Sequence, residues 1–465
     1  MTQISRGTQW VPHDYQKRTI EFLFDHHESG AFLEPGLGKT SIFLELINLL
    51  KVEGGFRGAL VIVPIRPMYL VWPKEMRKWA NFRGLSYTIL HGKEKDENFK
   101  KKRDIYLINP EGLDWLLDRL YGMRRTHWPF NVLGVDESTK VKHPSSLRSK
   151  NVKAIAPKFD RRHLLTGTPA PKGLLDVFGQ FLIMDGGKTF GTTITSYRKK
   201  YFYKSGFQGH KYAPFTYGID RIHKAMAVRA LTMKAEDYLE LPELIINRHY
   251  IELPEGARSQ YNELEKKLRL DFKEGRVTVA NAGILSLKCR QMASGGIYLD
   301  GIDEQRWKNV HDEKSKACFD LVEEIQGNQA LLAYEFRHDL DRLQKTFGAS
   351  IPTIKSKMSM ARTKQVEDRW NRGEIDLLFG QHTAVALGLN LQESGNRLIV
   401  HTLPWSYETW YQLVRRLYRQ GQKSKKVFVD VILAKNTVDE DVWESLQVHN
   451  GTHISLFEAL KRRWE

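Results

Sequence analysis

The sequence predicts an α/β protein with two doubly wound parallel sheets and a mainly helical insertion between them. Two observations on the outer thirds lead to this prediction: short β-branched runs alternate with amphipathic helical patterns in the first third, and the same alternation returns in the last third. The region between them loses the strand rhythm. Because alternating strands and helices are typical of parallel sheets, we expect lobes at residues 1–185 and 311–465, joined by an insertion and linker at 186–310.

The first lobe carries four short runs that we interpret as buried strands. They are ALVIVP at 59–64, DIYLIN at 104–109, NVLGVD at 131–136 and HLLTG at 163–167. Helical patterns lie between them, at 68–79 (MYLVWPKEMRKW) and 112–123 (GLDWLLDRLYGM). Runs of this length and composition are typical of strands buried on both faces of a sheet.

The last third repeats this pattern. Its strand candidates are QALLAYE at 329–335, IDLLFG at 375–380, RLIVHT at 397–402 and KVFVDVIL at 426–433. The insertion is aromatic and basic early and helical later, over ARSQYNELEKKLRLDF at 257–272. Its early part interleaves the aromatic residues Tyr197, Tyr201, Phe202 and Tyr203 with the cations Arg198, Lys199 and Lys200. These rings stack on bases or form a helical core stripe, and the sequence leaves both interpretations open.

Composition and charge narrow the class of protein. The chain has 465 residues, 41% hydrophobic and 27% charged, which argues against a disordered or fibrous protein. No apolar run approaches the roughly 18 residues of a membrane helix, so we expect a cytosolic protein without a membrane partner. The two cysteines, Cys289 and Cys318, share no CxxC motif and are expected to be reduced. A net charge of +17 favours nucleic acid as partner over a merely basic surface.

The segment LEPGLGKT at 33–40 indicates a phosphate-binding loop. It follows an apolar run and precedes a helical one, so its glycines aim backbone N–H groups at phosphates. Lys39 is expected to reach the outer phosphates and Thr40 to bind magnesium. The alternative is a glycine-rich turn without a ligand.

An acidic pair closes the strand candidate at 131–136. Asp136 is expected to bind magnesium, and Glu137 to accept a proton from the attacking water. The alternative is an acidic strand end that caps a helix. Pairing with the phosphate loop favours the catalytic interpretation.

Two arginines of the second lobe, Arg416 and Arg419, are three residues apart and are therefore predicted on one helical face. The second lobe has no phosphate loop of its own. Arginines in such a lobe are suited to neutralise charge on a γ-phosphate that is bound elsewhere. The alternative is a solvated basic face that binds the nucleic-acid backbone.

In their order along the chain, these motifs resemble those of superfamily-two helicases of the Swi/Snf branch, in the compact form of bacteria and bacteriophages. The motifs are DYQ at 14–16, GLGKT at 36–40, DEST at 136–139, LTGTP at 165–169, GLNLQ at 388–392 and QxxxRxxRxGQ at 412–422. The resemblance covers nearly the whole chain. It implies two RecA-like lobes, with ATP in the cleft and a nucleic-acid strand across both.

The resemblance also assigns further roles. The cofactor-binding set becomes Gln16, Gly36, Leu37, Gly38, Lys39, Thr40, Gly388, Asn390 and Gln412. Within it, Gln16 reads the adenine, whereas Gly388 and Asn390 sense closure. Thr166 and Thr168 couple the ATP site to DNA. Nucleic-acid contacts map to Arg66, Asn109 and Pro110, together with the N–H groups of their turns.

These features together predict a monomeric ATP- and Mg2+-dependent translocase on double-stranded DNA, in the cytoplasm of a bacterial or infected host cell. One rival is a strand-separating helicase acting on DNA or RNA. No segment plainly supplies the wedge it needs, although a hairpin between residues 186 and 223 would serve. The other rival, an ATP-gated clamp that barely hydrolyses ATP, fits less well with Lys39, Glu137 and the two arginines.

Overall fold

A computed structural model describes residues 8–205, 211–267, 269–272, 275–278, 282–300, 306–325, 327–386 and 388–461. The chain divides into two compact units. Unit 1 comprises Met1–Leu239 and His449–Glu465, and unit 2 comprises Glu240–Val448. Among the described residues, no helix combines the length and apolarity needed to cross a membrane.

Unit 1 contains a parallel sheet in the order β3-β4-β2-β5-β6-β1-β9. A separate antiparallel pair, β7 with β8, belongs to the same unit. The strands are β1 Glu28–Leu33, β2 Ala59–Ile62, β3 Tyr87–Ile89, β4 Ile105–Ile108, β5 Val132–Asp136, β6 Arg161–Thr166, β7 Phe202–Ser205, β8 Lys211–Pro214 and β9 Ala230–Met233. Strands β2 and β4 are buried along their whole length, as expected of strands covered by helices on both faces.

The helices of unit 1 cover this sheet and bury a large apolar core. They are α1 Asp14–Asp25, α2 Lys39–Glu53, α3 Ile65–Leu70, α4 Trp72–Lys78, α5 Lys95–Lys100, α6 Leu113–Leu120, α7 Leu147–Ile155, α8 Leu175–Asp185, α9 Ile194–Tyr201 and α10 Thr216–Ala227. Phe32, Tyr106 and Phe181 are fully buried members of the core. The stretch predicted as one helix at 68–79 is two helices, α3 and α4, with Pro73 in the first turn of α4. Proline favours this position because its missing N–H has no partner there in any case.

Unit 2 is built on a second parallel sheet, in the order β10-β19-β18-β15-β17-β16. The strands of the unit are β10 Glu243–Ile251, β11 Arg269–Phe272, β12 Gly275–Thr278, β13 Gly296–Tyr298, β14 Trp307–Asn309, β15 Ala330–Tyr334, β16 Thr353–Ile354, β17 Leu377–Gln381, β18 Arg397–Val400 and β19 Lys426–Ala434. Two short antiparallel pairs, β11–β12 and β13–β14, stand apart from the sheet.

Helices α11 to α17 belong to unit 2. They are α11 Glu255–Lys267, α12 Ala282–Ser294, α13 Glu313–Glu324, α14 Arg337–Phe347, α15 Met360–Asn371, α16 His382–Val385 and α17 Tyr407–Val414. A last helix, α18 Val438–Lys461, runs past the boundary of the two units. Leu332, Phe379 and Ile399 are fully buried in the core beneath the sheet.

The prediction of two doubly wound parallel sheets is confirmed, and every predicted strand run of both lobes overlaps an observed strand. The segment 186–310 holds helices α9 to α12 together with short strands. Two of these strands, β9 and β10, join the edges of the two large sheets. The boundary of the compact units falls inside this segment, after Leu239. The predicted boundaries after residues 185 and 310 stay a prediction.

The aromatic stretch at 197–203 resolves into two environments. Tyr197, Tyr201 and Phe202 are buried, at 0%, 4% and 5% exposure, and pack on one another in the core of unit 1. Tyr203 is 47% exposed. The core-stripe interpretation is therefore correct for the first three rings, and Tyr203 belongs to the surface.

Candidate functional site

The phosphate-loop candidate connects β1 to α2. β1 ends at Leu33 and α2 begins at Lys39. Gly36 and Gly38 have φ angles of +101° and +80°, a region that side chains with a Cβ rarely adopt. A Cβ on Gly38 would also lie 2.6 Å from Nε2 of Gln16. Glycine is thus required at this position by both the backbone and the neighbouring side chain.

The N-terminus of α2 carries no side-chain cap, because its N-cap residue is Gly38. The first-turn N–H groups of a helix have no partner within the helix, and they attract anions. Lys39, in this first turn, donates from Nζ to the carbonyl of Leu33 at 2.7 Å. The loop therefore combines backbone donors with a positively charged side chain, which is the chemistry that a phosphate requires.

Side chains on neighbouring segments brace the loop. Gln16 is buried, donates from Nε2 to the carbonyl of Leu37 at 3.2 Å and accepts from the backbone N–H of His13 at 3.0 Å. Glu34 is also buried, and its Oε2 accepts from the N–H of Ala235 at 3.0 Å. The loop is thus tied to the start of α1 on one side and to the segment after β9 on the other.

The acidic pair lies at the carboxyl end of β5. Oδ2 of Asp136 accepts a hydrogen bond from Nε1 of Trp72 at 3.1 Å. Burial raises the pKa of the Asp136 carboxyl, against the opposing effects of the Trp72 hydrogen bond and the charge of Lys39. Lys39 and Asp136, almost one hundred residues apart in sequence, therefore interact electrostatically. The phosphate loop and the acidic pair form one site in unit 1.

Glu137 adopts a left-handed backbone conformation, with φ 51° and ψ 54°. Such a conformation is uncommon for a residue with a side chain and often marks a functional position. The turn takes the chain out of β5 while both acidic side chains stay partly exposed. Glu137 is therefore in contact with solvent. Its neighbour Asp136 is a carboxyl group whose charged form is disfavoured by burial.

A buried hydrogen-bond chain links the acidic motif to the LTGTP segment. Ser138 Oγ donates to Oε1 of Gln180 at 2.7 Å, and Nε2 of Gln180 donates to the carbonyl of Pro169 at 2.6 Å. The N–H of Thr168 donates to Oγ1 of Thr166 at 3.2 Å. Oγ1 of Thr168 is buried without a hydrogen-bond partner among the described residues. The structure thus connects the acidic motif and the predicted coupling threonines through Gln180.

The sequence reasoning missed three residues of this site: Trp72, Gln180 and Glu34. Gln180 is the one that left a signal, because it is the single polar side chain in the apolar middle of α8, residues 177–184. Trp72 lies in a segment whose pattern indicates only packing, and Glu34 lies in the phosphate-loop segment but is not one of the residues to which the motif assigns a role. Their contacts bridge positions far apart in sequence, which periodicity does not detect.

The prediction that Arg416 and Arg419 share a helical face is wrong. α17 ends at Val414, and the N–H groups of Arg416 and Leu417 donate three residues back, to Leu413 and Val414. Bonds of this spacing tighten the chain into turns at a helix end. The arginine motif is therefore a turn segment of unit 2.

The arginine side chains of this segment bond to the GLNLQ motif. Arg416 is buried and donates to the carbonyls of Leu389, at 2.7 Å, and Gln412, at 2.9 Å. Arg419 donates from Nη1 to Oδ1 of Asn390 at 3.0 Å. The structure thus brings together two predicted sets that are more than twenty residues apart in sequence.

The remaining predicted members of unit 2 lie around this contact. Gly388 has φ +74°, so the turn before Asn390 uses a conformation that favours glycine. The backbone N–H of Asn390 donates to Oε1 of Glu367 at 2.9 Å, which gives Asn390 a second anchor. Gln412 is buried on α17. Gly388, Asn390 and Gln412 are therefore held in a fixed arrangement with the two arginines.

The predicted nucleic-acid contacts are buried side chains of unit 1. Arg66 on α3 is 5% exposed, and burial lowers its pKa. Asn109 is 6% exposed and donates from Nδ2 to Glu111 at 2.8 Å, and Pro110 is buried. Contacts from backbone N–H groups of these turns suit this burial better than contacts from the side chains. Direct DNA contact by these residues stays a prediction.

The residues of unit 1 fit a magnesium ion that accompanies a nucleotide. Thr40 lies in the first turn of α2, and Asp136 places a carboxyl group at the end of β5, where Lys39 interacts with it electrostatically. Hydroxyl and carboxylate oxygens are the ligands that Mg2+ prefers, with substrate phosphates completing the shell. The described residues contain no group of three or more His, Cys, Asp or Glu that would bind a metal without such phosphates.

Two family models and a phage protein match this chain. The SNF2-related domain matches residues 15–294, more than half of the chain, and the helicase conserved C-terminal domain matches residues 313–421. Protein p41 of Acyrthosiphon pisum secondary endosymbiont phage 1 is 33% identical, over 98% of this chain and 99% of that protein.

Larger relatives and a solved structure also match. Human chromodomain-helicase-DNA-binding protein 1 is 23% identical over 94% of this chain, which spans only 26% of that protein. The Sulfolobus solfataricus SWI2/SNF2 ATPase core in complex with dsDNA aligns at 18% identity and a TM-score of 0.44, over 96% of this chain and 92% of that one. The two family models and the phage relative show that the chain belongs to the SNF2-related family of helicase-like, nucleic-acid-dependent ATPases.

Proposed function

We propose that this protein is a monomeric, ATP-dependent motor that moves along duplex DNA without separating its strands. One observation carries the proposal. In unit 1 a glycine-lined loop leads into an uncapped helix N-terminus, and Asp136, which precedes Glu137 in sequence, interacts electrostatically with Lys39 of the same loop. This arrangement supports binding and hydrolysis of a nucleoside triphosphate. Family membership favours DNA as the track on which hydrolysis is used.

The loop is the proposed nucleotide site. The N–H groups between Gly36 and Thr40 bind the β-phosphate, Lys39 contacts the outer phosphates, and Gln16 contacts the adenine. Thr40 and Asp136 would hold the magnesium ion, which supplies positive charge to the phosphate oxygens when bound. The contact between Gln16 and the loop supports its assignment, because a base reader must lie near the phosphate site.

Glu137 is the proposed general base. It accepts the proton of the water that attacks the γ-phosphate, a role that requires a carboxylate in contact with solvent. Its left-handed backbone and partial exposure support this assignment. Asp136, whose carboxyl is bonded to Trp72, is suited to metal binding instead.

Thr166 and Thr168 are proposed to couple the ATP site to DNA. The chain from Ser138 through Gln180 to Pro169 supports this role, since a shift of the acidic motif would be transmitted to the LTGTP segment. Loss of Gln180 should therefore weaken DNA stimulation more than basal hydrolysis.

Arg416 and Arg419 are proposed to neutralise charge that develops on the γ-phosphate. Arg416 is bonded to two backbone carbonyls, and Arg419 is bonded to the side chain of Asn390. Gly388, Asn390 and Gln412 position the two guanidinium groups. The bond between Arg419 and Asn390 supports a response of the GLNLQ segment to the nucleotide state.

DNA is the proposed polyanion, in duplex form. The names of two curated relatives, human chromodomain-helicase-DNA-binding protein 1 and human DNA excision repair protein ERCC-6-like, refer to DNA binding and DNA repair. The net charge of +17 supports binding to a phosphate backbone. Arg66, Asn109 and Pro110, with the N–H groups of their turns, remain the proposed contacts.

Displacement of a third strand from a triplex tests this proposal. A duplex translocase should displace a third strand bound in the major groove in the presence of ATP, and Glu137→Gln should block the reaction. Hydrolysis should rise with duplex DNA and stay low without nucleic acid, because DNA favours the active arrangement. Turnover that is identical with DNA, with RNA and without either would overturn the proposal. Tight DNA binding with negligible hydrolysis would favour the ATP-gated clamp.

The antiparallel pair β7–β8 favours strand separation as a second candidate function. This pair joins residues 202–205 to 211–214, within the region where a wedge was expected if one exists. A helicase should release a strand from a forked duplex. Efficient ATP-driven fork separation without triplex displacement would replace the translocase by this candidate.

A further inference from the structure

Three aromatic rings form a row on the surface of unit 1, next to the β7–β8 pair. We call this row the ring ladder; it consists of Tyr203, Phe215 and Tyr217. The ring centroids of Tyr203 and Phe215 are 5.4 Å apart, and those of Phe215 and Tyr217 are 5.0 Å apart at an interplanar angle of 9°. Tyr203 is 47% exposed and Tyr217 50% exposed. The ladder therefore presents ring surface to solvent.

The ladder is held by regular structure. Tyr203 follows the buried Phe202 on β7, and the alternation of a strand directs it to the opposite face. Phe215 is the N-cap residue of α10, and Tyr217 lies in its first turn. Gly218 lets α10 approach α9 so closely that a Cβ would lie 2.5 Å from the carbonyl of Tyr201. The three rings are thus positioned by a strand and a helix that pack against the core.

One cation contacts the ladder, and further cations lie in the segments that carry it. The guanidinium of Arg221 lies over the ring of Tyr217, 5.2 Å from its centroid. The exposed cations of this region are Lys199, Lys200, Lys204, Arg221 and Lys224. Asp220 is the single acidic residue in the sequence between 194 and 227. The surface is therefore strongly positive as well as aromatic.

A ligand for this surface needs flat apolar faces and negative charge at close intervals. Single exposed aromatic residues are common on proteins and need no explanation. Rings in a row beside cations are instead the arrangement with which proteins bind single-stranded nucleic acid, through base stacking and phosphate contacts. Duplex DNA offers the phosphates but keeps its base faces stacked inside the helix. An acidic polypeptide offers the charge without regular planar groups.

We propose that the ring ladder binds unpaired bases of single-stranded DNA, while the surrounding cations contact its phosphates. The site goes beyond the duplex motor proposed above. It lets the protein recognise DNA in which unpaired bases lie next to duplex, such as a gap, fork or displaced strand.

Substitution of the two tyrosines tests this proposal. Fluorescence anisotropy of a labelled oligothymidylate, without nucleotide, should show that Tyr203→Leu with Tyr217→Leu weakens binding about fivefold to a hundredfold. Tyr203→Phe with Tyr217→Phe keeps the rings and should bind as the unsubstituted protein does. Tyr121→Leu is the matched surface control, since Tyr121 is 90% exposed and lies outside the ladder. Thermal unfolding checks that all variants fold.

Duplex-stimulated hydrolysis separates this proposal from the motor. The leucine variant should keep it, because neither tyrosine belongs to the ATP site. Unchanged oligothymidylate binding by the leucine variant would overturn the proposal, as would an equal loss in the phenylalanine variant. Equal losses of oligothymidylate and polyglutamate binding would make the surface a general polyanion face and overturn it too. If duplex DNA does not stimulate ATP hydrolysis by the unsubstituted protein, the proposed motor function is contradicted and the ring-ladder proposal is not.

Discussion

The two units use the N-terminus of a similar helix in opposite ways. In unit 1, α2 follows strand β1 and begins after Gly38 without a side-chain cap. In unit 2, α14 follows strand β15, and Asp339 in the first turn of α14 brings a carboxylate to the start of the helix. Oδ2 of Asp339 accepts from the N–H groups of Phe336 at 2.9 Å and Glu335 at 3.3 Å. The start of α2 thus has no side-chain cap, whereas a carboxylate in the first turn of α14 binds the two amides that precede that helix.

This difference separates ligand binding from structural support. A helix N-terminus binds a phosphate or a carboxylate, and an internal carboxylate makes the position unavailable. Asp339 also accepts from Arg342 at 3.0 Å and from Thr402 at 3.0 Å, and all three residues are buried. The start of the corresponding helix is thus the proposed nucleotide site in unit 1 and part of a polar core in unit 2. Substitutions in the two units should therefore have different consequences.

The largest effect is expected at the unit 1 site. Glu137→Gln should keep ATP binding and lower hydrolysis by up to about ten-thousandfold, because it removes the base that accepts the proton of water. Lys39→Ala should lose ATP binding, since it removes the cation of the loop. Single-turnover hydrolysis and binding of a fluorescent ATP analogue measure the two steps separately.

Lys51→Ala is the matched control for the lysine variant. Lys51 lies in the last turn of α2 and forms an ion pair with Asp104 at 2.8 Å. It should leave both ATP binding and hydrolysis near the unsubstituted level. Normal hydrolysis by Glu137→Gln would show that another group is the base.

The next largest effect is expected in the arginine segment of unit 2. Arg419→Ala and Arg416→Ala should each reduce hydrolysis by about a thousandfold and change DNA affinity little. The reason is that an arginine acting on the transition state changes rate, whereas a phosphate contact changes binding. Hydrolysis and DNA affinity, each measured over a range of salt concentrations, distinguish the two roles.

Lys423→Ala supplies the comparison, because Lys423 follows the motif and suits a backbone contact. It should weaken DNA binding slightly and reduce its salt dependence. If the arginine variants behave like Lys423→Ala, with near-normal turnover, the arginines bind the DNA backbone instead.

A stability effect is expected at the helix terminus of unit 2. Asp339→Asn should destabilise unit 2 by about 3–5 kcal/mol, because it leaves the buried guanidinium of Arg342 without its partner charge. Hydrogen exchange of β15 and α14 in increasing urea measures the change. Asp320→Asn, on the exposed side of α13, is the control and should change stability by less than about 0.5 kcal/mol. A loss below about 1 kcal/mol at Asp339 would contradict the structural role.

The sequence predicts the two sheets and the unit 1 site well because these depend on local patterns. β-branched runs locate the buried strands, and the glycine spacing of residues 36–40 locates the loop. Positive φ angles at Gly36 and Gly38 are the physical basis of that spacing. The acidic pair is equally local, since it lies where a buried strand ends.

Long-range contacts account for what the sequence does not predict. The arginine segment has helical spacing, yet α17 ends at Val414 and Arg416 bonds to the carbonyl of Leu389. The stretch predicted as helical at 257–272 divides into α11 and strand β11. None of the sequence motifs contains Asp339. Its local partners lie at residues 335–342, but Thr402 is 63 residues away in sequence, so only the fold brings the whole group together.

The smallest effect in this comparison is a difference in acid sensitivity. Burial lowers the pKa of His163 in unit 1 to about 3 and, with the charge of Arg342, that of His311 in unit 2 to about 4. Burial also lowers the pKa of His338 and His401 in unit 2 and of His223 in unit 1. Among these buried histidines, three lie in unit 2 and two in unit 1. Two of those in unit 2, His338 and His401, lie beside Asp339.

Acidification should destabilise unit 2 before unit 1. An unfolded histidine gains its proton near pH 6.5, whereas these folded histidines stay neutral, so the folded state loses stability as pH falls below that value. Each such histidine costs up to about 2 kcal/mol between pH 7 and pH 5. Asp339 adds nothing in this range, because its lowered pKa makes its contribution disappear only under more acidic conditions. Hydrogen exchange at pH 7 and pH 5, corrected for intrinsic rates, should show earlier loss of protection in β15 than in β1. His311→Gln should reduce the difference, and earlier loss of protection in β1 would contradict this account.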